Sequence, residues 1–188
     1  MDTNKLFGEF LQLADGAMCL RKIGVDDLEE VFALYSNKRI FEFCGILNQK
    51  NKSVVQSAIG HFERDFNHQT RIKWGIAPGA LGGRIAGIIE ATDFNRIVNR
   101  VTIGYFLHPD HWHRGFATAA VTILTRFLIE TVGVNRVQAE VMPGNVHSKQ
   151  VLLKNGFRLE GTLRQAAVWP GKGLLDLEMY SRLASDEL

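Results

Sequence analysis

Residues 108–121, HPDHWHRGFATAAV, combine a glycine, a fixed positive charge and small side chains where a helix is predicted to begin. Gly115 can adopt a positive φ and has no side chain, so its backbone can approach an anion closely. Arg114 adds a charge, and Ala117 and Thr118 keep the next positions slim. Because helix N-termini present unpaired amides and a partial positive charge, this segment predicts a phosphate-binding loop.

The loop matches neither of the two best-known glycine-rich phosphate motifs. The chain contains no G-x-G-x-x-G after a strand and no G-x-x-x-x-G-K-[ST], so dinucleotide-binding and P-loop folds are disfavoured. On its own, the loop is equally consistent with an ordinary helix start that contains a glycine. A nucleotide-binding module therefore stays an alternative, which a measurement of ATP binding would test.

The histidines and cysteines do not predict a metal site. His108, His111 and His113 stand at i, i+3 and i+5 in the loop, which is not a spacing typical of zinc ligands. Cys19 and Cys44 are far apart and form no C-x-x-C pair. We interpret the two cysteines as free thiols in a reducing cytosol.

The composition is that of an ordinary globular protein of one domain. The chain has 188 residues, of which 46% are hydrophobic and 22% charged, with a formal net charge of +2. That charge is too small to predict direct binding to nucleic acid. There is no apolar run of about 20 residues that could span a membrane, and the acidic N-terminus does not resemble a signal peptide. We expect a cytoplasmic protein, either a monomer or a homodimer.

The hydrophobic pattern predicts an α+β fold in which the loop lies between a strand and a helix. Period-two or short apolar runs predict strands at 16–23, 71–78, 83–93, 99–108, 135–142, 157–165 and 174–183. Helical spacing predicts helices at 25–37, 52–68, 116–133 and 145–156, and turns are expected at 79–83 and 169–173. This order predicts a mixed sheet with helices packed on it.

Together with a second block, the loop resembles the GNAT superfamily of N-acetyltransferases, in particular its ribosomal-protein N-terminal acetyltransferase branch. The family's acyl-CoA signature is commonly written [QR]-x-x-G-x-[GA]; residues 112–117 read WHRGFA and depart from it at the first position. The second block, PGNVHSKQVLLKNGFRLEGTLR at 143–164, resembles the branch's N-x-x-S helix and the Gly-Phe after it. The resemblance covers about residues 16–183 and leaves 1–15 as an N-terminal extension.

The resemblance implies a single N-acetyltransferase domain over residues 1–188 with the GNAT fold. That fold has a mostly antiparallel central sheet of about seven strands, splayed at the acyl-CoA cleft, with about four helices on both faces. Acetyl-CoA is the implied co-substrate, with no metal. The implied contacts are the backbone of Phe106, Leu107 and His108 and the side chain of Asn145 for pantetheine, and the amides of His113, Arg114, Gly115, Phe116, Ala117 and Thr118 for the diphosphate.

The family reaction is direct attack of a neutral amine on the acetyl thioester, and the amide of Leu107 is the implied oxyanion donor. Glu140 is the first candidate base, since several N-terminal acetyltransferases carry a glutamate on this strand. Glu90 is the second, because its neighbours are apolar. In many relatives a tyrosine acts as the general acid at the position of Leu152. Leucine cannot donate a proton, so Ser148 is the candidate hydrogen-bond donor to the leaving sulfur. Each candidate also has a simpler interpretation. Glu140 and Glu90 could be paired surface carboxylates, and Ser148 could be a helix-start serine that bonds locally to the backbone.

The acceptor is the least determined part of the prediction. The resemblance favours a protein N-terminal α-amine, perhaps that of a ribosomal protein. A small-molecule amine such as a polyamine, an aminoglycoside or an amino acid is an alternative within the same chemistry. A protein that binds coenzyme A without transferring an acetyl group is an alternative of another class.

Overall fold

The computed structural model describes residues 1–44, 48–79, 83–169 and 171–186. Over these residues the strands are β1 (Leu13–Asp15), β2 (Met18–Arg21), β3 (Arg71–Pro78), β4 (Gly87–Asn95), β5 (Arg100–Leu107), β6 (Arg136–Val141), β7 (Arg158–Trp169) and β8 (Gly173–Leu183). The α-helices are α1 (Thr3–Phe7), α2 (Leu28–Ser36), α3 (Lys52–Asn67), α4 (Phe116–Arg126) and α5 (Val146–Lys154). The turns predicted at 79–83 and 169–173 include residues 80–82 and 170, which lie outside the described residues.

The strands form one sheet in the order β1-β2-β3-β4-β5-β6-β8-β7. Neighbouring strands are antiparallel except β5 and β6, which are parallel. The predicted mixed α+β fold with a mostly antiparallel sheet is confirmed. The described chain has eight strands rather than about seven and five helices rather than about four, because α1 and β1 form in the N-terminal extension.

Helices cover both faces of the sheet, as predicted, and side-chain alternation along the strands explains why. Ile89 packs in a cluster with residues of α1, α4 and α5, whereas the adjacent Ile88 packs in a cluster with residues of α2 and α3. Successive residues of a strand point to opposite faces, so a continuous apolar run in β4 supplies both cores. No helix of the described residues is both long enough and apolar enough to cross a membrane.

The N-terminal extension packs on its own chain. The ring of Phe7 lies 5.0 Å from that of Phe94 between centroids, and the indole N–H of Trp74 donates to the carbonyl of Leu11 at 2.9 Å. The amide of Asp2 donates to the carbonyl of Val132, at the end of the α4 region, at 2.7 Å. A five-residue helix and a three-residue strand are too short to produce a readable period, which is why the sequence pattern did not predict them.

Two predicted elements differ in extent for local reasons. The predicted strand 157–165 continues to Trp169, because bulges at Gly161 (φ +156°) and Gln165 (φ +51°) let β7 bend and keep its pairing with β8. The predicted helix 116–133 is α-helical to Arg126 and then forms a π-helical turn to Thr131.

The strands β5 and β6 pair over three residues each within the described sheet and then separate. Arg100–Thr102 of β5 lies beside Arg136–Gln138 of β6, and the register records no further partners between these strands. The second half of β5, up to Leu107, therefore has β4 on one side and an opening on the other. The sheet is splayed at this point, and the predicted phosphate loop follows directly.

Candidate active site

A cavity of about 580 Å³ lies where β5 and β6 separate. Its walls come from the end of β5, the loop before α4, the first turn of α4, the exposed side of α5 and the segment 39–44. Elements from distant parts of the chain thus converge on one space. The topology explains this, because a parallel pair opened at one end leaves backbone groups without a neighbouring strand.

The loop before α4 is built to leave its amides free. Gly115 is the N-cap residue of α4 and has φ +79°, and His113 also has a positive φ of +59°. The carbonyl of Gly115 accepts from Ala119 at 3.0 Å, which starts the helix. Within the described part of the chain, none of the amides of residues 113–118 donates to a protein acceptor. These are the donors with which a helix N-terminus binds phosphate.

The side of Gly115 that would carry a Cβ is open. A Cβ added there would meet no atom of the described residues within 4 Å. The requirement for glycine is therefore conformational within the protein, since a positive φ strains other residues. Gly115 is also one of the residues that line the cavity.

The structure brings together most of the residues that the resemblance associated with the cofactor. Eight of the ten line the cavity: Phe106, Leu107, His113, Gly115, Phe116, Ala117, Thr118 and Asn145. His108 and Arg114 are not among the lining residues. The ring of His108 accepts from the amide of Asp110 at 3.4 Å, and the side chain of Arg114 is exposed.

Trp112, which departs from the family signature, ties the loop to β5. Its indole N–H donates to the carbonyl of Leu107 at 2.9 Å, and the guanidinium of Arg39 lies 5.0 Å from the ring centroid. The carbonyl of Leu107 therefore already has a donor from the protein. The tryptophan fixes the distance between the end of β5 and the free amides of the loop.

The amide of Leu107 points into the opening. The amide of His108, just beyond β5, donates to the carbonyl of Ala86 at 2.8 Å, whereas the amide of Ala86 donates to Ile76. Because successive amides of an extended chain point to opposite sides, the N–H of Leu107 points away from β4, where Leu107 lies opposite Gly87. The Leu107 N–H is thus available to a ligand in the cavity.

Tyr105 and Ser148 form a hydrogen-bonded pair in the same cavity. The Tyr105 hydroxyl lies 2.8 Å from Ser148 Oγ and 3.1 Å from the Ser148 carbonyl oxygen. The amide of Ser148 donates to Asn145 Oδ1 at 3.1 Å, which caps α5 and holds the serine at the cavity wall. Burial raises the pKa of Tyr105 above its ordinary value, so the phenol keeps its proton and can act as a donor.

The two candidate bases lie outside the cavity lining. Alternation in β4 and β6 places both Glu90 and Glu140 on the α2 and α3 face of the sheet. Glu140 is exposed and lies opposite Met179 of β8. Glu90 Oε2 lies 3.3 Å from Lys73 Nζ and 3.6 Å from Arg71 Nε, so this carboxylate is already in ion pairs.

Several cavity residues were not predicted. Sequence reasoning did not identify Tyr105, Arg39, Glu42 and Cys44, which all line the cavity. Burial, with a smaller contribution from Glu90, raises the pKa of Cys44 to about 11, so its thiol stays protonated near neutral pH. Alternation along β5 could have found Tyr105, because it shares a face with Leu107. The other three lie in a segment with no readable motif.

The described residues contain no group of three or more His, Cys, Asp or Glu side chains arranged to hold a metal ion.

Comparisons with known proteins agree with this geometry. The sequence pattern of the acetyltransferase (GNAT) domain matches residues 17–158. The uncharacterized N-acetyltransferase YoaA of Bacillus subtilis (strain 168) is 31% identical over 148 residues, which are 79% of this chain and 83% of that protein. The ribosomal-protein-serine acetyltransferase of Escherichia coli (strain K12) is 31% identical over 103 residues, 53% of this chain and 57% of that protein.

A solved structure has the same fold. The microcin C7 self-immunity acetyltransferase MccE, in complex with acetyl-CoA and AMP, superposes with a TM-score of 0.80 at 21% identity. The match covers 90% of this chain and 93% of that one. At this level of identity the likeness concerns the overall arrangement of helices and strands.

Proposed function

Because the chain belongs to the acetyltransferase (GNAT) domain family, and is therefore an acetyl-CoA-dependent N-acetyltransferase, we propose that it acetylates a protein N-terminal α-amine. The observation that carries the transfer reaction is the opening beside β5, which presents one free N–H at Leu107 and a row of free amides at 113–118. The choice of a protein acceptor rests on similarity to the ribosomal-protein-serine acetyltransferase of Escherichia coli.

We propose that acetyl-CoA lies along the opening. The amides of residues 113–118 fit a diphosphate, since they are unpaired within the described protein and the side of Gly115 is open. Phe106, Leu107 and Asn145 would contact the pantetheine arm, and the half-buried His108 and the exposed Arg114 would lie at the edges of the same path. These residues bind and orient the co-substrate.

In the proposed reaction the amine nitrogen bonds to the acetyl carbon and the carbon–sulfur bond breaks. The Leu107 N–H stabilises the negative charge that develops on the acetyl oxygen. With Tyr105 donating to Ser148 Oγ, the serine hydroxyl is free to donate to the departing sulfur. A thiol of ordinary pKa, about 8.5, needs only such modest assistance and then takes a proton from water. The proton lost by the amine passes to a base and on to solvent.

For the base we propose Glu140, with Glu90 as the second candidate. Glu140 lies on the part of β6 beyond its last pairing with β5, and its exposure lets an accepted proton pass to solvent. Glu90 is held by Lys73 and Arg71 and is less free to accept a proton.

Glu140→Gln is expected to lower kcat/KM about 10-fold at neutral pH, because the amide cannot accept the proton of the amine. Glu90→Gln is the matched comparison, and its kcat/KM should stay close to that of wild type. Steady-state rates at neutral pH measure both variants. A wild-type kcat/KM for Glu140→Gln together with a lowered one for Glu90→Gln would transfer the role to Glu90.

Two measurements test the proposed function. Calorimetry should show uptake of acetyl-CoA, and mass spectrometry should show a 42-dalton increase on a protein N-terminus after incubation with ribosomal proteins. A polyamine set in the same assay tests the small-molecule alternative. Tight binding without transfer to any amine would leave a protein that binds coenzyme A without catalysis, and no uptake of acetyl-CoA would overturn the proposal.

We propose a cytoplasmic location for this reaction. Cys19 and Cys44 are free thiols, one buried and one partly buried, which is compatible with a reducing compartment. A protein N-terminus emerging in the same compartment would be the acceptor.

A further inference from the structure

Residues 39–44, which we call the roof segment, cross the cavity and are held at three points. Arg39 stacks on Trp112 at one end, beside the phosphate loop. The ring of Phe43 lies against Gly144, where an added Cβ would be 3.4 Å from Phe43 Cε1. Lys172, in the turn between β7 and β8, donates to the carbonyl of Glu42 at 3.1 Å. The roof segment therefore has a fixed path from the phosphate loop to the last hairpin.

The carboxylate of Glu42 has no ion-pair partner among the described residues, although two cations are near it. Arg39 is three residues earlier in a 3₁₀ turn, where side chains at i and i+3 lie on the same side. Its guanidinium is directed to the ring of Trp112 instead. Lys172 binds the backbone carbonyl of Glu42 and lies over the ring of Trp169. Glu42 is therefore an exposed residue of the cavity lining that has neither cation as an ion-pair partner.

Two other carboxylates near the site are already in ion pairs, whereas Glu140 is exposed and lies outside the cavity lining. Glu90 pairs with Lys73, and Glu178 pairs with Lys149 at 2.8 Å. Glu42 is the one carboxylate among the described residues that line the cavity.

The lining also contains five basic side chains, and its Tyr105 and Cys44 are uncharged near neutral pH because burial raises the pKa of both. His111 and His113 lie at the phosphate loop, His147 and Lys154 lie on α5, and Arg39 stacks on the ring of Trp112. The lining is therefore polarised, with groups suited to phosphate on the side of α4 and α5, and one negative charge on the side of the last hairpin. An anionic co-substrate and a cationic acceptor would be drawn to different ends.

We propose that Glu42 binds the ammonium form of the acceptor amine and determines the enzyme's preference for cationic primary amines. The inference rests on the proposed function, because it concerns the acceptor end of the same cavity. A charge-assisted hydrogen bond from the ammonium to the carboxylate would hold the amine near Leu107 before it loses its proton. Phe43 and Phe106, also in the lining, provide aromatic surfaces compatible with a cation.

The test measures binding of an ammonium probe to the full chain loaded with coenzyme A. The probes are a hexapeptide with a free N-terminal serine and the same hexapeptide N-acetylated, with spermidine as a second ammonium. Calorimetry of Glu42→Gln should show about 10-fold weaker binding of both ammonium probes, and Glu42→Asp should recover part of the loss. The acetylated hexapeptide should bind wild type and Glu42→Gln equally. Glu130→Gln, an exposed carboxylate outside the cavity lining, is the matched control and should bind as wild type does.

Equal affinity of wild type and Glu42→Gln for the free hexapeptide and for spermidine would overturn the inference, as would failure of both probes to bind wild type. Acetyl-CoA affinity is titrated separately and should be unchanged in Glu42→Gln. Lack of acetyl-CoA binding by wild type would overturn the proposed function, whereas a normal acetyl-CoA titration with no effect of Glu42→Gln would overturn only the role of Glu42.

Discussion

Replacing Gly115 with leucine is expected to raise the Kd for acetyl-CoA about 100-fold while the protein remains folded. The new side chain would project into the open space beside the free amides, where the diphosphate is proposed to bind. A 100-fold change corresponds to about 2.8 kcal/mol, the scale of losing several charge-assisted hydrogen bonds. Calorimetric titration with acetyl-CoA, and the KM for acetyl-CoA in the transfer assay, measure the effect.

Gly133→Leu is a matched control, because Gly133 has nearly the same backbone conformation. Its φ is +75° against +79° for Gly115, and an added Cβ likewise meets no atom of the described residues within 4 Å. Both substitutions should cost about 1–2 kcal/mol of folding stability from the left-handed conformation. Only Gly115→Leu should weaken acetyl-CoA binding. An unchanged Kd in Gly115→Leu, or equal losses in both variants, would remove the loop from the co-substrate site.

The parts of the fold that the sequence predicts are those in which a long element has one clear period. Strands β3, β5 and β6 and helices α3 and α5 were predicted close to their observed limits, whereas β4 begins at Gly87 rather than residue 83 and α4 ends at Arg126 rather than residue 133. The extension at 1–15 was not, because α1 and β1 together span eight residues and acquire their stability from contacts with Trp74 and Phe94. Such contacts are tertiary and leave no local pattern.

The phosphate loop could be predicted because its requirements are local. A positive φ at Gly115 and a row of unpaired amides follow from consecutive residues at one helix start. The Tyr105 and Ser148 pair joins positions 43 residues apart, and depends on how α5 packs beside β5. Glu42 is recognisable only after the directions of Arg39 and Lys172 are known. The sequence pattern therefore predicted the backbone conformation of this loop better than it predicted which side chains line the cavity.

One structural feature links these residues. The separation of β5 from β6 exposes the amide of Leu107, and the same separation leaves room for Ser148 of α5 to face Tyr105. The indole N–H of Trp112 donates to the carbonyl of Leu107, so the backbone group of Leu107 that remains available to a ligand is its N–H donor. The donors proposed for the acetyl oxygen and for the sulfur thus both depend on one irregularity in the sheet.

Ser148→Ala is expected to lower kcat about 100-fold and Tyr105→Phe about 10-fold, with little change in the Kd for acetyl-CoA. Alanine removes the proposed donor to the sulfur but keeps the cap of α5, which uses the backbone amide of Ser148. Phenylalanine keeps the packing of the ring and removes the hydroxyl that orients the serine. Thiol release under saturating acetyl-CoA and acceptor measures kcat.

Tyr180→Phe is the matched control for Tyr105→Phe, because it also removes one tyrosine hydroxyl bond, 3.2 Å from Glu178, away from the cavity lining. Its kcat should equal that of wild type.

The double variant Tyr105→Phe, Ser148→Ala should be no slower than Ser148→Ala alone, since the tyrosine acts through the serine. Because burial raises the pKa of Tyr105, loss of its hydroxyl should lower the rate without moving the pH–rate profile near neutrality. If the losses of kcat in the two single variants multiply in the double variant, Tyr105 acts on the sulfur independently of Ser148. A wild-type kcat in Ser148→Ala would mean that neither hydroxyl assists the departing thiolate.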